Sequence, residues 1–347
     1  MTMPLVSIIV PAFNAARWID RTIDSACAQT HRAVEILVID DGSTDDTAGI
    51  VTGRQRRDER IRLIHQLNGG VARARNRGID EAQGAFVAPL DSDDLWSPVK
   101  IERQLAALNA AGPATALAYN WFRRIDADDR VLPVSPYPVV EGPVFHRHLD
   151  WNFISNGSTP LIRSEVARSV RYAPALHDAG NQGCEDYLLQ LQIARRHDFV
   201  CVPAFLTGYR QAAGSMSAGV ARMIRSHLQM YAILLPDVDA PARRIIARRC
   251  ATLLIELARN GARNGNVAAG LRSTVAAIRH DPLAAGRAVV TELQHARTTY
   301  ESAPVGAPFP EWEATARDGS WTTRRSPGWL DALERLDTGP ADRTITA

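Results

Sequence analysis

The chain has 347 residues, 46% of them hydrophobic and 22% charged, an ordinary balance for a globular protein with room for one large domain or two modest ones. Its net charge of +2 gives no strong pull toward nucleic acid. Four cysteines (Cys27, Cys184, Cys201, Cys250) lie far apart without a CxxC spacing, which argues against a disulfide frame or a zinc site and for reduced thiols in a cytosolic protein. No basic segment precedes an apolar run at the N-terminus, so no signal peptide is expected. No stretch approaches the roughly 18 consecutive apolar residues of a membrane span, so any membrane contact is made from the surface.

Residues 5–10, LVSIIV, are a continuous apolar, β-branched run, the pattern of a strand buried on both faces. Pro11-Ala12-Phe13-Asn14 ends it, and a helix follows to about residue 29 with Trp18, Ile19, Ile23 and Ala26 on one face. Residues 34–39 read as a second strand ending in Asp40-Asp41-Gly42. Thr44 is placed to cap the next helix, with Asp45 and Asp46 in its first turn. Residues 61–65 are a third strand, Asn68-Gly69-Gly70 a turn, and residues 71–83 a helix carrying Arg73, Arg75 and Arg77. Residues 85–90 form a fourth strand that stops at Asp91-Ser92-Asp93-Asp94. Ser97-Pro98 then opens a helix to residue 111. This alternation predicts an α/β fold with a mostly parallel sheet and right-handed crossovers. Three strand ends (Phe13 with Asn14, Asp40 with Asp41, Asp91 with Asp93) then share the sheet edge where open α/β folds bind ligands.

Residues 115–120 are a further strand. Residues 126–150 read as an irregular surface loop, with five prolines or glycines from Pro133 to Pro143, and its His146-Arg147-His148 is expected to be exposed. Residues 158–162 are a strand, Ser164 caps a short helix, and residues 171–183 are loop. Residues 185–196, EDYLLQLQIARR, are an amphipathic helix with Leu188, Leu189, Leu191 and Ile193 inward, followed by strands at 199–202 and 206–209. From Gly219 the character changes to helices at 220–235, 240–259, 267–279 and 283–298, separated by Asn/Gly turns. The expected division is a catalytic domain at 1–218, a helical C-terminal region at 219–305, and an irregular tail at 306–347 with the composition of partly disordered chain.

Three acids as close as Asp91, Asp93 and Asp94 repel one another unless a cation or a proton offsets them. Their hard oxygens suit Mg2+ or Mn2+, which complete their shells with water and substrate phosphates. A solvated acidic turn before a helix would spell the same letters. No GxGxxG or Walker A sequence occurs, so dinucleotide and P-loop readings lose support.

Taken together, VSIIVPAFNAARWI, EILVIDDGSTDDT, NGGVARARNRGI, LDSDD and the Glu185-Asp186 helix are ordered and spaced so that residues 4–218 resemble the inverting family 2 glycosyltransferases of the GT-A fold. The resemblance implies a Rossmann-like nucleotide-diphospho-sugar transferase sheet. It implies transfer of a hexosyl or N-acetylhexosaminyl group from a nucleotide sugar, UDP-sugars foremost, to a hydroxyl in bacterial polysaccharide or glycoconjugate assembly. In this family the positions of Pro11, Ala12, Phe13, Asn14 and Asp41 hold the donor base, Phe13 against the ring and Asp41 accepting from a base N–H. Asp40 is then left to turn chemistry. Asn68 and Arg75 match positions near the ribose and diphosphate, and Arg73 and Arg77 a solvated face. Asp91 and Asp93, with Ser92 between them, match the DXD metal pair, and Asp94 an acid at the start of the next helix. Glu185 and Asp186 match the family's pair, Asp186 being the catalytic base. Ala212 stands where relatives often carry a histidine for the metal or diphosphate, which puts the strength of metal dependence in question. Arg210 or Ser217 is placed to reach the diphosphate instead.

Trp96, Trp121, Trp151 and Tyr187 fall near the implied cleft, each more suited singly to core packing. Asn156-Gly157-Ser158 fits a glycosylation pattern without a secreted context. The partners implied are a nucleotide-sugar donor and a glycan, lipid-linked or other hydroxyl acceptor, with no nucleic acid. The setting implied is cytoplasmic, at the inner face of the membrane. The helical region leaves open acceptor recognition, a homo-oligomer, or peripheral membrane contact through Arg222, Arg225, Arg243, Arg244, Arg248 and Arg249. The alternative is a catalytically weakened nucleotide-sugar-binding or scaffold protein of the same fold, favoured by Ala212 and opposed by Asp91, Asp93 and Asp186. Nucleotidyl transfer on a similar sheet would give Asp186 no purpose.

Overall fold

The computed structural model describes residues 3–132, 139–211, 219–291, 306–309 and 328–339. Strands β1 (Val6–Ala12) and β2 (Val34–Asp40) are buried along their whole length, as apolar runs between two helical layers must be. β1 pairs in parallel with β2 and with β4 (Phe86–Pro89), and β2 with β3 (Ile61–His65). Successive side chains serve opposite layers. Ile8 and Val10 pack with Ile19 and Ile23 of α1 (Ile19–Cys27), whereas Ile9 packs with Ile79 of α3 (Val71–Glu81). The register sets Ala12 beside Asp40 and Asp40 beside His65, and Leu90 N donates to Ile9 O at 2.9 Å. Phe13, Asp41 and Asp91 therefore leave the sheet at one carboxyl edge.

Beyond β4 the sheet continues through β7 (Leu161–Arg163), β6 (Thr115–Ile125), β8 (Asp198–Arg210) and β5 (Leu95–Trp96), giving eight strands in the order β3-β2-β1-β4-β7-β6-β8-β5. Here only β6 and β8 are parallel, so a parallel half adjoins a mixed half. β8 is one strand where the sequence suggests two. Register shifts opposite Asn120 and Trp121 absorb Pro203 and its neighbour as a bulge.

Helix starts differ from expectation where side chains have other work. α2 (Thr47–Gln55) begins after Asp46, because Thr44 turns back and donates its N–H to Asn14 Oδ1 at 2.8 Å. α4 (Lys100–Ala111) begins late because Ser97 is still bonded to Leu206 O, at 2.9 Å. Ser164 is the first residue of α6 (Ser164–Val170) and not its cap, its hydroxyl donating to Gly84 O at 2.7 Å. The expected loop at 171–183 holds a short turn of helix, α7 (Ala175–Asp178). The expected loop at 126–150 ends in α5 (Phe145–Asp150), and His146, Arg147 and His148 are buried in it, not exposed. His148 lies 3.0 Å from Gln190 Oε1 among aromatic rings, and burial pulls its pKa down to about 3, so it is a neutral packing residue.

After α8 (Glu185–Ala194) and β8, the C-terminal helices are α9 (Val220–Leu234), α10 (Ala240–Arg263), α11 (Val267–His280) and α12 (Pro282–Thr291). α10 is their hub. Ile246, Cys250 and Leu253 cluster with Leu188 and Leu191 of α8, Met230 and Tyr231 of α9, and Leu149 of α5. The tail expected to be irregular contains α13 (Gly328–Thr338), which adds Leu333 to the same cluster. All four cysteines are free. Among the described residues no helix is long and apolar enough to cross a membrane.

Candidate active site

A cleft of about 580 Å³ opens at the carboxyl edge of the parallel half, and every residue that the sequence singles out for donor, metal or catalysis lines it. Ala212 and Ser217 lie outside the described residues. From β1, Pro11 and Ala12 lead to Phe13, which is 52% exposed and so presents its ring at the cleft instead of filling the core. Asn14 follows in the left-handed region, φ +50°, which its short amide side chain tolerates.

From β2, the two acids divide their work. Asp40 Oδ1 accepts from Ser43 N at 3.0 Å and Oδ2 lies 3.0 Å from His65 Nδ1, which is turn chemistry. Asp41 accepts from Gly69 N at 2.9 Å, Gln66 Nε2 at 2.7 Å and Gly70 N at 2.8 Å. Three of its roughly four lone-pair positions are thus filled, and one remains for a donor from the cleft. Gly70 has φ +85°, and a β-carbon there would sit 2.4 Å from His177 Nδ1, so only glycine closes this turn. Asn68 lies on the cleft wall just before it.

Arg75 of α3 is 4% exposed and donates from Nη2 to Asp91 Oδ1 at 2.5 Å, with its guanidinium 5.1 Å from the Tyr172 ring centre. Burial opposes its charge, but Asp91 and Asp186 outweigh burial and hold the guanidinium firmly protonated. A β-carbon at Gly157 would lie 2.8 Å from Arg75 Nη2, 3.3 Å from Asp91 Oδ2 and 3.5 Å from Asp186 Oδ2. One arginine and carboxylates from two distant strand and helix ends thus converge over a glycine. Neither Gly157 nor its neighbour Asn156 stood out in the sequence as site residues. Asn156 is buried and donates to Asp94 Oδ2 at 3.2 Å, so the glycosylation pattern is part of the site's frame.

Burial first, and Asp91 second, push Asp93 up to about 6, while Arg210 pulls it down. Asp94 belongs to no helix start. It is fully buried and accepts from Ser158 Oγ at 2.6 Å and Arg210 N at 2.9 Å, tying the 156–158 turn to β8. Arg210, expected to reach a diphosphate, is 1% exposed and committed elsewhere. It donates to Asp93 O at 2.6 Å, Asp126 O at 2.6 Å and Asp129 Oδ1 at 2.5 Å, and so fixes the Asp93 turn from behind. Among the described residues no group of three His, Cys, Asp or Glu side chains is arranged to hold a metal. Asp91 and Asp93 offer two hard oxygen ligands whose mutual repulsion a divalent cation relieves, a set that fits Mg2+ or Mn2+ completed by diphosphate and water.

The opposite wall is the start of α8. Glu185 is 2% exposed, accepts from Gly183 N at 2.8 Å through Oε2, and has no partner on Oε1. Asp186 accepts from Tyr187 N at 2.8 Å, and burial raises its pKa against the pull of Arg75. Of Trp96, Trp121, Trp151 and Tyr187, Tyr187 lines the cleft, its hydroxyl donating to His148 O at 2.6 Å, and Trp96 and Trp121 are core; Trp18 and Tyr209 line the cleft as well. Met223 and His227 of α9 complete this wall, along with His177. No motif in the sequence marks them, because they reach the site only through the packing of α9 on α8.

Residues 7–156 match the family model Glycosyl transferase family 2. A putative teichuronic acid biosynthesis glycosyltransferase of Bacillus subtilis, TuaG, is 45% identical over 103 residues, 29% of this chain and 41% of that protein. The chain spans less than half the length of the curated relatives it matches first. Staphylococcus aureus TarS 1–349 in complex with UDP-GlcNAc is similar with a TM-score of 0.61 and 16% identity, over 86% of this chain and 94% of that one. The mannosyltransferase PcManGT from Pyrobaculum calidifontis, in complex with GDP-Man and Mn2+, is similar with a TM-score of 0.55 and 19% identity, over 85% and 82%. At those identities the structural likeness establishes the fold, GT-A. With that fold, residues 7–156 of the chain are similar to glycosyl transferase family 2.

Proposed function

We propose that the protein transfers a sugar, with inversion, from a UDP-sugar to a hydroxyl of a growing glycan in bacterial polysaccharide assembly, on the cytoplasmic side of the membrane. The observation that carries this reading is the convergence over Gly157, where Asp91, Asp186 and Arg75 come within 3.5 Å of one point. A donor-side carboxylate and an acceptor-side carboxylate then flank the place where a glycosidic bond would change hands. TuaG and the complex of TarS with UDP-GlcNAc support the choice of polysaccharide and of donor.

In this reading Phe13 lies against the base, and the remaining lone pair of Asp41 accepts a base N–H. Asn68 is placed for the ribose. Asp91 and Asp93 would hold Mg2+ or Mn2+, which when bound supplies positive charge against the departing diphosphate. Asp186 takes the acceptor proton as that oxygen attacks the anomeric carbon from the face opposite the leaving group. Its raised pKa makes it a stronger base, and Arg75 beside it favours the ionised form against burial. Arg210 positions the Asp93 turn and does not touch the diphosphate.

The test is a melting-temperature panel of UDP-, GDP-, dTDP- and CMP-sugars with and without Mn2+, followed by turnover of Asp186→Asn. A UDP-sugar should raise the melting temperature by linkage. Asp186→Asn should keep that shift while losing about 10²–10⁴-fold in turnover. No shift with any nucleotide would remove the donor assignment. A variant that still turns over normally would take the base away from Asp186.

A further inference from the structure

Helices α11 and α12 carry their large residues on the outside. The residues they set against α10 are small: Gly270 and Ala277 of α11 and Ala284 and Ala285 of α12, the alanines clustering with Ala251, Leu254 and Ile255. Facing outward on α11 are Val267, Leu271, Val275 and Ile278, spaced by four, four and three along one helical face. They are 62%, 64%, 49% and 52% exposed, and Leu283 and Val289 of α12 are 73% and 59% exposed. This inverts the usual order, in which a helix turns its large apolar residues to the core. Arg272 and Arg279, both exposed, border the stripe, and Arg287 is exposed on α12. Asp281 is the only acidic residue in the sequence from 267 to 291.

An exposed apolar stripe edged by arginines and nearly free of acids has the make-up of a helix that lies in the surface of an anionic bilayer. A second copy docked on the same stripe by two-fold symmetry would gather the arginines of both chains at one interface, with only Asp281 of each to offset them. Two of the arginines that the sequence suggests for membrane contact are committed within the fold: Arg248 donates to Asp150 Oδ1 at 2.5 Å, and Arg249 is set against Tyr231. We infer that the α11–α12 hairpin docks the protein on an anionic lipid surface, with Leu271, Ile278 and Leu283 entering the headgroup layer and Arg272 and Arg279 on lipid phosphates. The absence of a membrane-crossing helix among the described residues is consistent with a contact made from one side.

The full chain is sedimented with vesicles of phosphatidylcholine alone or of phosphatidylcholine with an equal part of phosphatidylglycerol. It should pellet with the second and not the first. The double variant Leu271→Glu, Ile278→Glu should stay in solution. Arg272→Gln with Arg279→Gln should lower partitioning roughly thirtyfold at low salt, at about 1 kcal/mol per arginine near an anionic surface. Equal behaviour of both vesicles, or indifference to either double variant, would overturn the inference. So would self-association without lipid that Leu271→Glu abolishes, which would assign the face to a second copy. A large fall in melting temperature for Leu271→Glu would mean that the chain beyond residue 291 covers the stripe, and would overturn it equally.

Discussion

Arg75 is the residue on which both walls of the cleft depend, because it is buried, bonded to Asp91, and close to Asp186. Gly157 is the space it needs. Gly157→Ala would place a β-carbon 2.8 Å from Arg75 Nη2, against a guanidinium that cannot swing to solvent. Overpacking of this kind costs about 1–3 kcal/mol, and the displaced pair should lower turnover well beyond what the fall in melting temperature explains. Unchanged turnover would show that the Arg75–Asp91 pair is not needed in that geometry. A second residue-scale prediction concerns pH. In metal-free protein Asp93 protonates near pH 6, against about 4 for an unfolded aspartate. Between those values the folded state holds more protons than the unfolded one, so stability falls as pH rises from about 4 to about 6 and then levels. Asp94, Glu185 and Asp186 are also raised by burial, so Asp93→Asn should reduce this slope without abolishing it. Urea denaturation at stepped pH in chelator measures it, and an unaltered slope in the variant would place the titration elsewhere.

At the scale of elements, α13 is held to α5 chiefly by the buried carboxylate of Asp337, with the more exposed Glu334 Oε1 3.2 Å from Arg147 Nη1. Asp337, whose side chain is fully buried, accepts from His146 N at 2.6 Å and Arg147 Nε at 2.8 Å, and lies 3.0 Å from His146 Nδ1. Burial disfavours the charge on His146, but Asp337 and Asp239 outweigh it and raise its pKa. The sign follows: this docking is fully present below the ordinary histidine pKa of about 6.5 and weakens as pH rises through the raised value. Proteolysis ahead of residue 328 should therefore quicken as pH rises. Asp337→Ala, which removes the partner of a buried cation at a cost of about 3 kcal/mol, should make it fast at every pH. Cleavage independent of both would deny the latch. α13 and α5 were the elements least legible in the sequence, since short helices inside polar, proline-rich stretches are fixed by partners far along the chain. The parallel strands and the acids at their ends were legible, because burial on both faces writes an unbroken apolar run and a sheet edge follows from the alternation. Arg210 stands at the cleft as its motif position implies, but partners far along the chain, Asp93, Asp126 and Asp129, hold its guanidinium, which the sequence does not show.

At the scale of the molecule, the C-terminal helices and the catalytic sheet share one site. α9 packs on α8 within the same apolar cluster, and in doing so brings Met223 and His227 to the cleft on the side of Asp186. Met223 Sδ would lie 2.8 Å from a β-carbon at Gly183, so α9 also closes over the backbone that leads into Glu185 and Asp186. We place the catalytic unit at residues 1–218, yet a chain truncated there would expose Leu188, Leu191 and Tyr187, and should be insoluble or melt far below the full chain. The finer expectation is functional. The end of the cleft that we propose for the nucleotide, at Phe13 and Asp41, follows β1 and β2, whereas Met223 and His227 belong to the opposite wall. His227 Nδ1 lies 2.8 Å from Met223 O, so the ring is held in place, and burial lowers its pKa, leaving it neutral at pH 7. Trimming Met223 to Ala removes apolar contact worth about tenfold in discrimination between acceptors. Met223→Ala should therefore raise the acceptor KM about tenfold while the donor KM and the donor-induced melting shift stay as in the wild type. If both KM values rise together, α9 is a brace for the whole cleft and acceptor choice lies elsewhere. If only the donor KM rises, the two ends of the cleft are assigned the wrong way round, and with them the direction in which Asp186 faces its substrate.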